Sequence, residues 1–181
     1  MKRSIFKLTM IIPLFLLLCF VISCQKQAEE GITEGEVQVI ADGVLEIWNE
    51  GNLDLIDELY APDYVRHYVG IYEDIAGIDA YKKWVTDSRI TYPDFNVIIH
   101  ELIFKGDKVV AKYTFTATNT GPLNTPSGEL PPTGKAIRVS GATIMQIADG
   151  KIVEEWLYFN QASAMQQLGF TISPPAPPEK K

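Results

Sequence analysis

The chain has little sulfur chemistry to offer. Its 181 residues contain two cysteines, and both fall in the first 24 positions, at Cys19 and Cys24. A domain built from the rest can form no internal disulfide and no cysteine metal site, and it has no thiol nucleophile. Histidine is as scarce, with only His67 and His100. There is no Gly-rich phosphate loop, no H-E-x-x-H zinc helix, no paired-cysteine motif and no internal repeat. Basic charge is also short. The 16 Lys and Arg face 23 Asp and Glu, a formal net charge of −7. That balance argues against nucleic acid and against long-range steering of an anionic substrate, and leaves a small neutral or apolar ligand as the expected partner.

What is present begins with a leader. Lys2, Arg3 and Lys7 precede an apolar run from Leu8 to Ile22, which has the pattern of a secretory signal and is short for a membrane span. The run stops at Val21-Ile22-Ser23-Cys24, which resembles a bacterial lipobox. The resemblance implies cleavage before Cys24, lipidation of that cysteine and attachment to the cell envelope. With Gln25 following the cysteine, the outer membrane is the expected destination in a Gram-negative cell. The alternatives are an uncleaved anchor or ordinary cleavage leaving a free thiol. Setting the three leader cations aside leaves 13 basic against 23 acidic side chains, a net charge near −10. The expected organisation is a signal peptide at 1–23, lipidated Cys24 with a polar tether at 24–35, one domain at 36–170 and a Pro-rich tail at 171–181.

Inside the domain, apolar residues from Val37 to Trp48 recur at three and four, the mark of an amphipathic helix. Gly51-Asn52 stops it, and Leu53–Leu59 reads as a second short helix. Tyr64–Val69 alternates, with Val65, His67 and Val69 on one face. Gly77–Thr91 reads as a third helix. Four long strands follow, at Phe95–Lys105, Lys108–Asn119, Lys135–Ala148 and Lys151–Asn160. Gly106-Asp107 and Asp149-Gly150 supply tight turns. Strands of that length must curl, and with helices packed on the concave side they form a cone. The long segment Thr120–Gly134 is stiffened by Pro131-Pro132 and is expected to form a structured flap at the cone's mouth. Gln161–Leu168 reads as a last helix ended by Gly169.

On strict alternation, Trp156, Tyr158 and Asn160 share one face of the last strand, opposite Glu155, Leu157 and Phe159. Two aromatics with polar handles and an amide suggest a cavity wall. In the second long strand, Val109, Ala111, Tyr113, Phe115, Ala117 and Asn119 form the expected inner face. Asn160 also has a structural reading, since Asn is a favoured N-cap for the helix that follows.

Five features, in order, resemble the SnoaL-like polyketide cyclase family, often called ester cyclases, of the nuclear-transport-factor-2-like superfamily. They are His67, Pro93-Asp94-Phe95, Pro131–Lys135, Gly150–Trp156 and Gln167-Leu168-Gly169. The resemblance covers roughly 35–170 and implies an α+β fold, a cone-shaped, mostly antiparallel curved sheet with packed N-terminal helices. It also implies a small-molecule pocket and cofactor-free acid/base cyclisation of a carbonyl compound. Dimers are usual among such proteins, so a homodimer is open to this chain.

The resemblance makes His67 and Asn160 the catalytic candidates. Catalytic members usually carry an Asp four residues after the Trp, where this chain has Asn160, and an amide takes up no proton near neutral pH. His67 has two readings, a core histidine bonded to backbone or a cavity-facing base. The ligand-binding candidates are Trp48, Trp84, Tyr113, Asn119, Trp156 and Tyr158. No metal or cofactor is expected. The alternative function is a non-catalytic lipoprotein that binds a small ligand in the same pocket. Neither the Tyr–carboxylic acid pair of a ketosteroid isomerase nor the Asp–Arg–Asp array of an epoxide hydrolase can be assembled from the sequence.

Overall fold

A computed structural model describes residues 31–68, 73–125 and 128–171. The leader, Cys24, Val69 and the tail beyond residue 171 lie outside the described residues, as does the tether up to residue 30. Among the described residues, no helix is long and apolar enough to cross a membrane.

Helix α1 (Glu34–Asn49) opens with a capping box, in which Thr33 accepts from the Glu36 amide and Glu36 accepts from the Thr33 amide. Two orphan helix donors are thereby satisfied, which fixes the start of the helix. Its buried face is Val37, Ile40, Ala41, Ile47 and Trp48. A short α2 (Asp54–Leu59) leads into β1 (Tyr60–Tyr68), which is followed by β2 (Ile75–Ala76) and α3 (Ile78–Thr91). The long strands are β3 (Asn96–Lys105), β4 (Lys108–Thr118), β7 (Ala136–Ala148) and β8 (Lys151–Phe159). A small hairpin of β5 (Leu123–Thr125) and β6 (Gly128–Leu130) sits between β4 and β7, and α4 (Gln161–Gln167) follows β8.

The strands form one curved sheet in the order β2-β1-β8-β7-β4-β3. All of its pairings are antiparallel except β1 with β8. The β7–β8 turn has both central residues at positive φ, Asp149 at 50° and Gly150 at 74°. That is the primed turn whose twist matches the flanking strands. The α+β class and the curved, mostly antiparallel sheet with its N-terminal helices follow the sequence expectation.

Two bulges change which residues face inward. In β8, Gln146 pairs with Glu154 but Ile147 pairs with Ile152, so Val153 is one residue extra. In β3, Ile99 pairs with Tyr113 and Glu101 with Lys112, which leaves His100 extra. A bulge bends its strand and reverses the alternation beyond it. Ile152, Glu155 and Leu157 are therefore all buried, although strict alternation puts Ile152 on the opposite face from the other two.

The core lies between α1, α3 and the concave face of the sheet. Tyr60, Tyr64 and Tyr81 are fully buried there among Ile47, Ile56, Val85 and Ile152. Their ring centroids lie 4.7 to 5.1 Å apart in tilted and edge contacts. The Tyr60 and Tyr81 hydroxyls are satisfied within the cluster, since Trp48 Nε1 donates to Tyr81 Oη at 3.2 Å and Tyr60 Oη lies 3.2 Å from Tyr81 Oη, whereas the Tyr64 hydroxyl donates to Glu155. Burial pushes all three phenols above their ordinary range, so they remain neutral donors.

Candidate functional site: an aromatic cavity over a buried ion pair

A cavity of about 380 Å³ opens beside this core. Helix α1 gives it Ala41, Val44 and Trp48, and α3 gives it Trp84, Asp87 and Ser88. The sheet adds Val97 and Ile99 from β3, then Ala111, Tyr113 and Phe115 from β4, and Leu157 and Phe159 from β8. Leu123 and Asn124 of the small hairpin and Met165 of α4 complete the wall. Phe95 stacks on Phe115 at 5.1 Å and lies 5.1 Å from Trp48, so aromatic rings run along one side.

A buried ion pair lies in this largely apolar lining. Arg66 on β1 and Glu155 on β8 are each 4% exposed. They are neighbours because β1 and β8 pair in parallel with Arg66 opposite Glu155. Glu155 accepts from Tyr64 Oη at 2.5 Å, from Thr143 Oγ1 at 2.6 Å and from Arg66 Nη2 at 3.4 Å. The guanidinium carbon lies 5.2 Å from the Tyr81 ring, 5.4 Å from Trp48 and 5.5 Å from Tyr68, within cation–π range of all three. Burial works against the charge on Arg66. The Glu155 carboxylate and the surrounding tyrosine oxygens outweigh it, holding the guanidinium firmly protonated. Tyr113, at the cavity wall, is pushed up by burial and stays a neutral phenol.

Of the residues singled out in the sequence, the structure brings Trp48, Trp84 and Tyr113 together in the cavity wall. It does not bring Trp156 or Tyr158 there. The bulge at Val153 turns Glu155, Leu157 and Phe159 inward, so Trp156 and Tyr158 point outward, and Tyr158 is 42% exposed.

His67 is outside too. It follows Arg66 in an alternating strand, and Arg66 takes the inner position. Neither a core histidine bonded to backbone nor a cavity base describes what it does. Its Nδ1 lies 2.8 Å from Asp74 Oδ2, its Nε2 lies 2.8 Å from Glu154 Oε1, and its ring stacks on Trp156.

Asn160 also lies off the cavity wall. Its Oδ1 accepts from the Ser163 amide at 2.9 Å, an N-cap of α4. Asn119 is wholly buried as a brace rather than as lining. It accepts from the Thr133 amide and hydroxyl and donates to the carbonyls of Gly121 and Thr91, holding these three backbone positions together. Asp94 braces another turn, accepting from the amide and hydroxyl of Thr118 at 2.6 Å each. Among the described residues, no group of three His, Cys, Asp or Glu side chains could hold a metal ion.

Sequence reading passed over Arg66 and Glu155. The available signal was one charged residue on each of two faces otherwise aromatic or apolar, Tyr64-Arg66-Tyr68 and Glu155-Leu157-Phe159.

Comparison with known proteins agrees with this architecture. The family model for SnoaL-like polyketide cyclases matches residues 38–168. Among solved structures, TsrD from Streptomyces laurentii is 25% identical with a TM-score of 0.66, and the match covers 76% of this chain and 98% of that one. A candidate polyketide cyclase from Acidithiobacillus ferrooxidans is 30% identical with a TM-score of 0.64, covering 76% and 96%. An LEH-like epoxide hydrolase from M. tuberculosis, 19% identical with a TM-score of 0.58 over 74% and 90%, shares the fold alone. No curated protein matches the sequence. Because the family model spans residues 38–168, most of the chain, this protein belongs to the SnoaL-like polyketide cyclase family.

Proposed function

We propose that the protein binds a small ring compound in its cavity. The observation that carries this reading is the wall itself, with Trp48, Trp84, Phe95, Tyr113 and Phe115 around about 380 Å³. That volume lies within the usual range for small-molecule sites, roughly 300–1,000 Å³, and the apolar wall with one polar cluster is their usual composition. The test is ligand-induced melting and tryptophan quenching with naphthalene-sized probes. Ala111→Phe, which fills the space from β4, should abolish the response. Equal responses from the filled variant and the wild type would sink the reading.

Acid/base cyclisation of a carbonyl compound is the second reading, supported by family membership and by a carboxylate beside a cation in the wall. Both His67 and Asn160 lie off that wall, so the chemistry would fall to cavity groups, with Glu155 as proton acceptor and Arg66 holding the enolate oxygen. The Glu155 oxygens already accept three hydrogen bonds, which favours the binding reading over this one. Turnover of polyketide-like methyl esters by wild type, lost in Glu155→Gln, would reverse that order.

We also infer attachment to the cell envelope through lipidated Cys24 and pairing as a homodimer. The dimer reading is supported by a cross-strand row on the outer face, Ile103, Val110, Ile144 and Trp156. Ile103 is 58% exposed, and charges of both signs flank the row, with Glu101 and Lys112 on one side and Glu154 and Lys108 on the other. Ile144→Lys should convert a dimer to a monomer in sedimentation, while radiolabelled palmitate should follow Cys24 and be lost in Cys24→Ala.

A further inference from the structure

Arg66 is the least satisfied polar group in the cavity wall. A guanidinium carries five N–H donors, and here Nη2 alone has an acceptor, at 3.4 Å. Nε and Nη1 are buried and have no hydrogen-bond partner among the described residues. The rings of Trp48, Tyr68 and Tyr81 satisfy the charge through their faces but supply no lone pair along the N–H directions. Glu155 cannot turn further toward Arg66, because Tyr64 and Thr143 hold its two oxygens. A buried donor left in that state favours any occupant that brings an acceptor.

The kind of acceptor follows from charge. The cavity lining has three charged side chains, Arg66, Glu155 and Asp87. Arg66 and Glu155 neutralise one another, and Asp87 is paired with Lys83 at 2.5 Å on α3. No unbalanced cation remains in the wall. A carboxylate placed beside Arg66 would leave the buried cluster with a net negative charge and a second carboxylate close by, which a low-dielectric site penalises.

We propose that Arg66 is the specificity-determining residue of the cavity. Its guanidinium donates to an uncharged oxygen acceptor on the ring compound, while Glu155 sets the charge balance that excludes carboxylates. This rests on the reading that the cavity binds a ring compound. It assigns a selectivity rule to that site and a separate role to each member of the pair. Arg66 discriminates between an oxygenated and a bare ring, and Glu155 discriminates between neutral and anionic oxygen. Removing the Glu155 charge should therefore invert the anion preference without changing the shape of the cavity.

Three probes of one shape test it: 2-ethylnaphthalene, 2-acetylnaphthalene and 2-naphthoate, titrated into the full-length protein by tryptophan quenching and calorimetry. In the wild type the ketone should bind about tenfold or more tighter than the hydrocarbon, and the carboxylate should bind weaker than the ketone. Arg66→Met should level ketone and hydrocarbon. Glu155→Gln, which leaves the cation unbalanced, should bind 2-naphthoate tighter than the ketone. Equal binding of ketone and hydrocarbon by the wild type overturns the inference and leaves the cavity reading standing, as does a wild-type preference for the carboxylate. Failure of all three probes overturns both. The wild-type ranking needs no variant, so it decides the matter even where a substitution at the ion pair prevents folding.

Discussion

His67 lies flat against Trp156, ring centroids 5.3 Å apart and planes 21° from parallel, on the side of the sheet away from the cavity. Asp74 and Glu154 each hold one of its ring nitrogens at 2.8 Å. Partial burial works against the charged ring, but the hydrogen bonds to Glu154 and Asp74 and their charges outweigh it and raise the imidazole above its ordinary value of 6.5. A group whose folded pKa is raised contributes stability that is fully present below the unfolded pKa and is lost as pH rises through the folded one. His67→Gln should therefore lower the melting temperature most near pH 6, and the gap should close toward pH 9. Because the side chain is outside the cavity, ligand affinity should not change. A gap that widens with pH, or a loss of affinity, would contradict this placement.

The Arg66–Glu155 pair makes a different kind of prediction. Breaking a buried pair on one side leaves an uncompensated charge, which typically costs about 3–5 kcal/mol, whereas replacing both partners with apolar groups of similar size is often neutral or stabilising. Glu155→Ala alone should fall in the first range by urea unfolding. Arg66→Met combined with Glu155→Leu should recover most of that loss while removing discrimination among oxygenated ligands. The double-mutant cycle should show strong coupling, and additive effects would mean that the two side chains do not act as a pair.

Much of the fold was legible in the sequence because periodicity and turn chemistry are local. Val37, Ile40, Ala41 and Trp48 announce α1, and Asp149-Gly150 announces the β7–β8 turn. The inner face of β4, Ala111-Tyr113-Phe115, was readable for the same reason, since it alternates without interruption. The cavity's polar centre was not, and the cause is the extra residue at Val153. One inserted position exchanges Trp156 and Tyr158 for Glu155 and Leu157 at the cavity wall, and no residue type in Lys151–Phe159 marks a bulge. The parallel pairing of β1 with β8 is also non-local, so nothing in Tyr64–Tyr68 reveals that Arg66 meets Glu155.

Gly141 shows how tightly the sheet closes behind the cavity. A Cβ at this position would lie 2.4 Å from the Tyr158 carbonyl oxygen and 2.7 Å from the Tyr113 hydroxyl. The backbone contact cannot give way cheaply, and Tyr113 lines the cavity, so a displaced ring would take up cavity space. Gly141→Ala should destabilise the domain by about 1–3 kcal/mol, the usual cost of overpacking. It should also weaken ring-compound binding by pushing Tyr113 into the space. Unchanged stability and affinity would show that Tyr113 has room that the structure does not display.

Asn160 stands where catalytic relatives are expected to carry an Asp, and its contacts predict what restoring that Asp would do. The side-chain oxygen caps α4 through the Ser163 amide. Asp and Asn are near-equivalent N-caps, and Ala in their place costs about 1 kcal/mol. Asn160→Ala should therefore lose roughly that much by chemical denaturation. Asn160→Asp should match the wild type, with a slight gain from a negative charge at a helix N-terminus. Neither substitution should alter ring-compound affinity, and Asn160→Asp should not create turnover of polyketide-like methyl esters, because the carboxylate would replace an amide that sits outside the cavity wall. Mass spectrometry of that variant with such esters is the check. Product formed by Asn160→Asp and not by the wild type would mean that this side chain reaches a bound substrate after all, and the assignment of Asn160 as a cap alone would have to be abandoned.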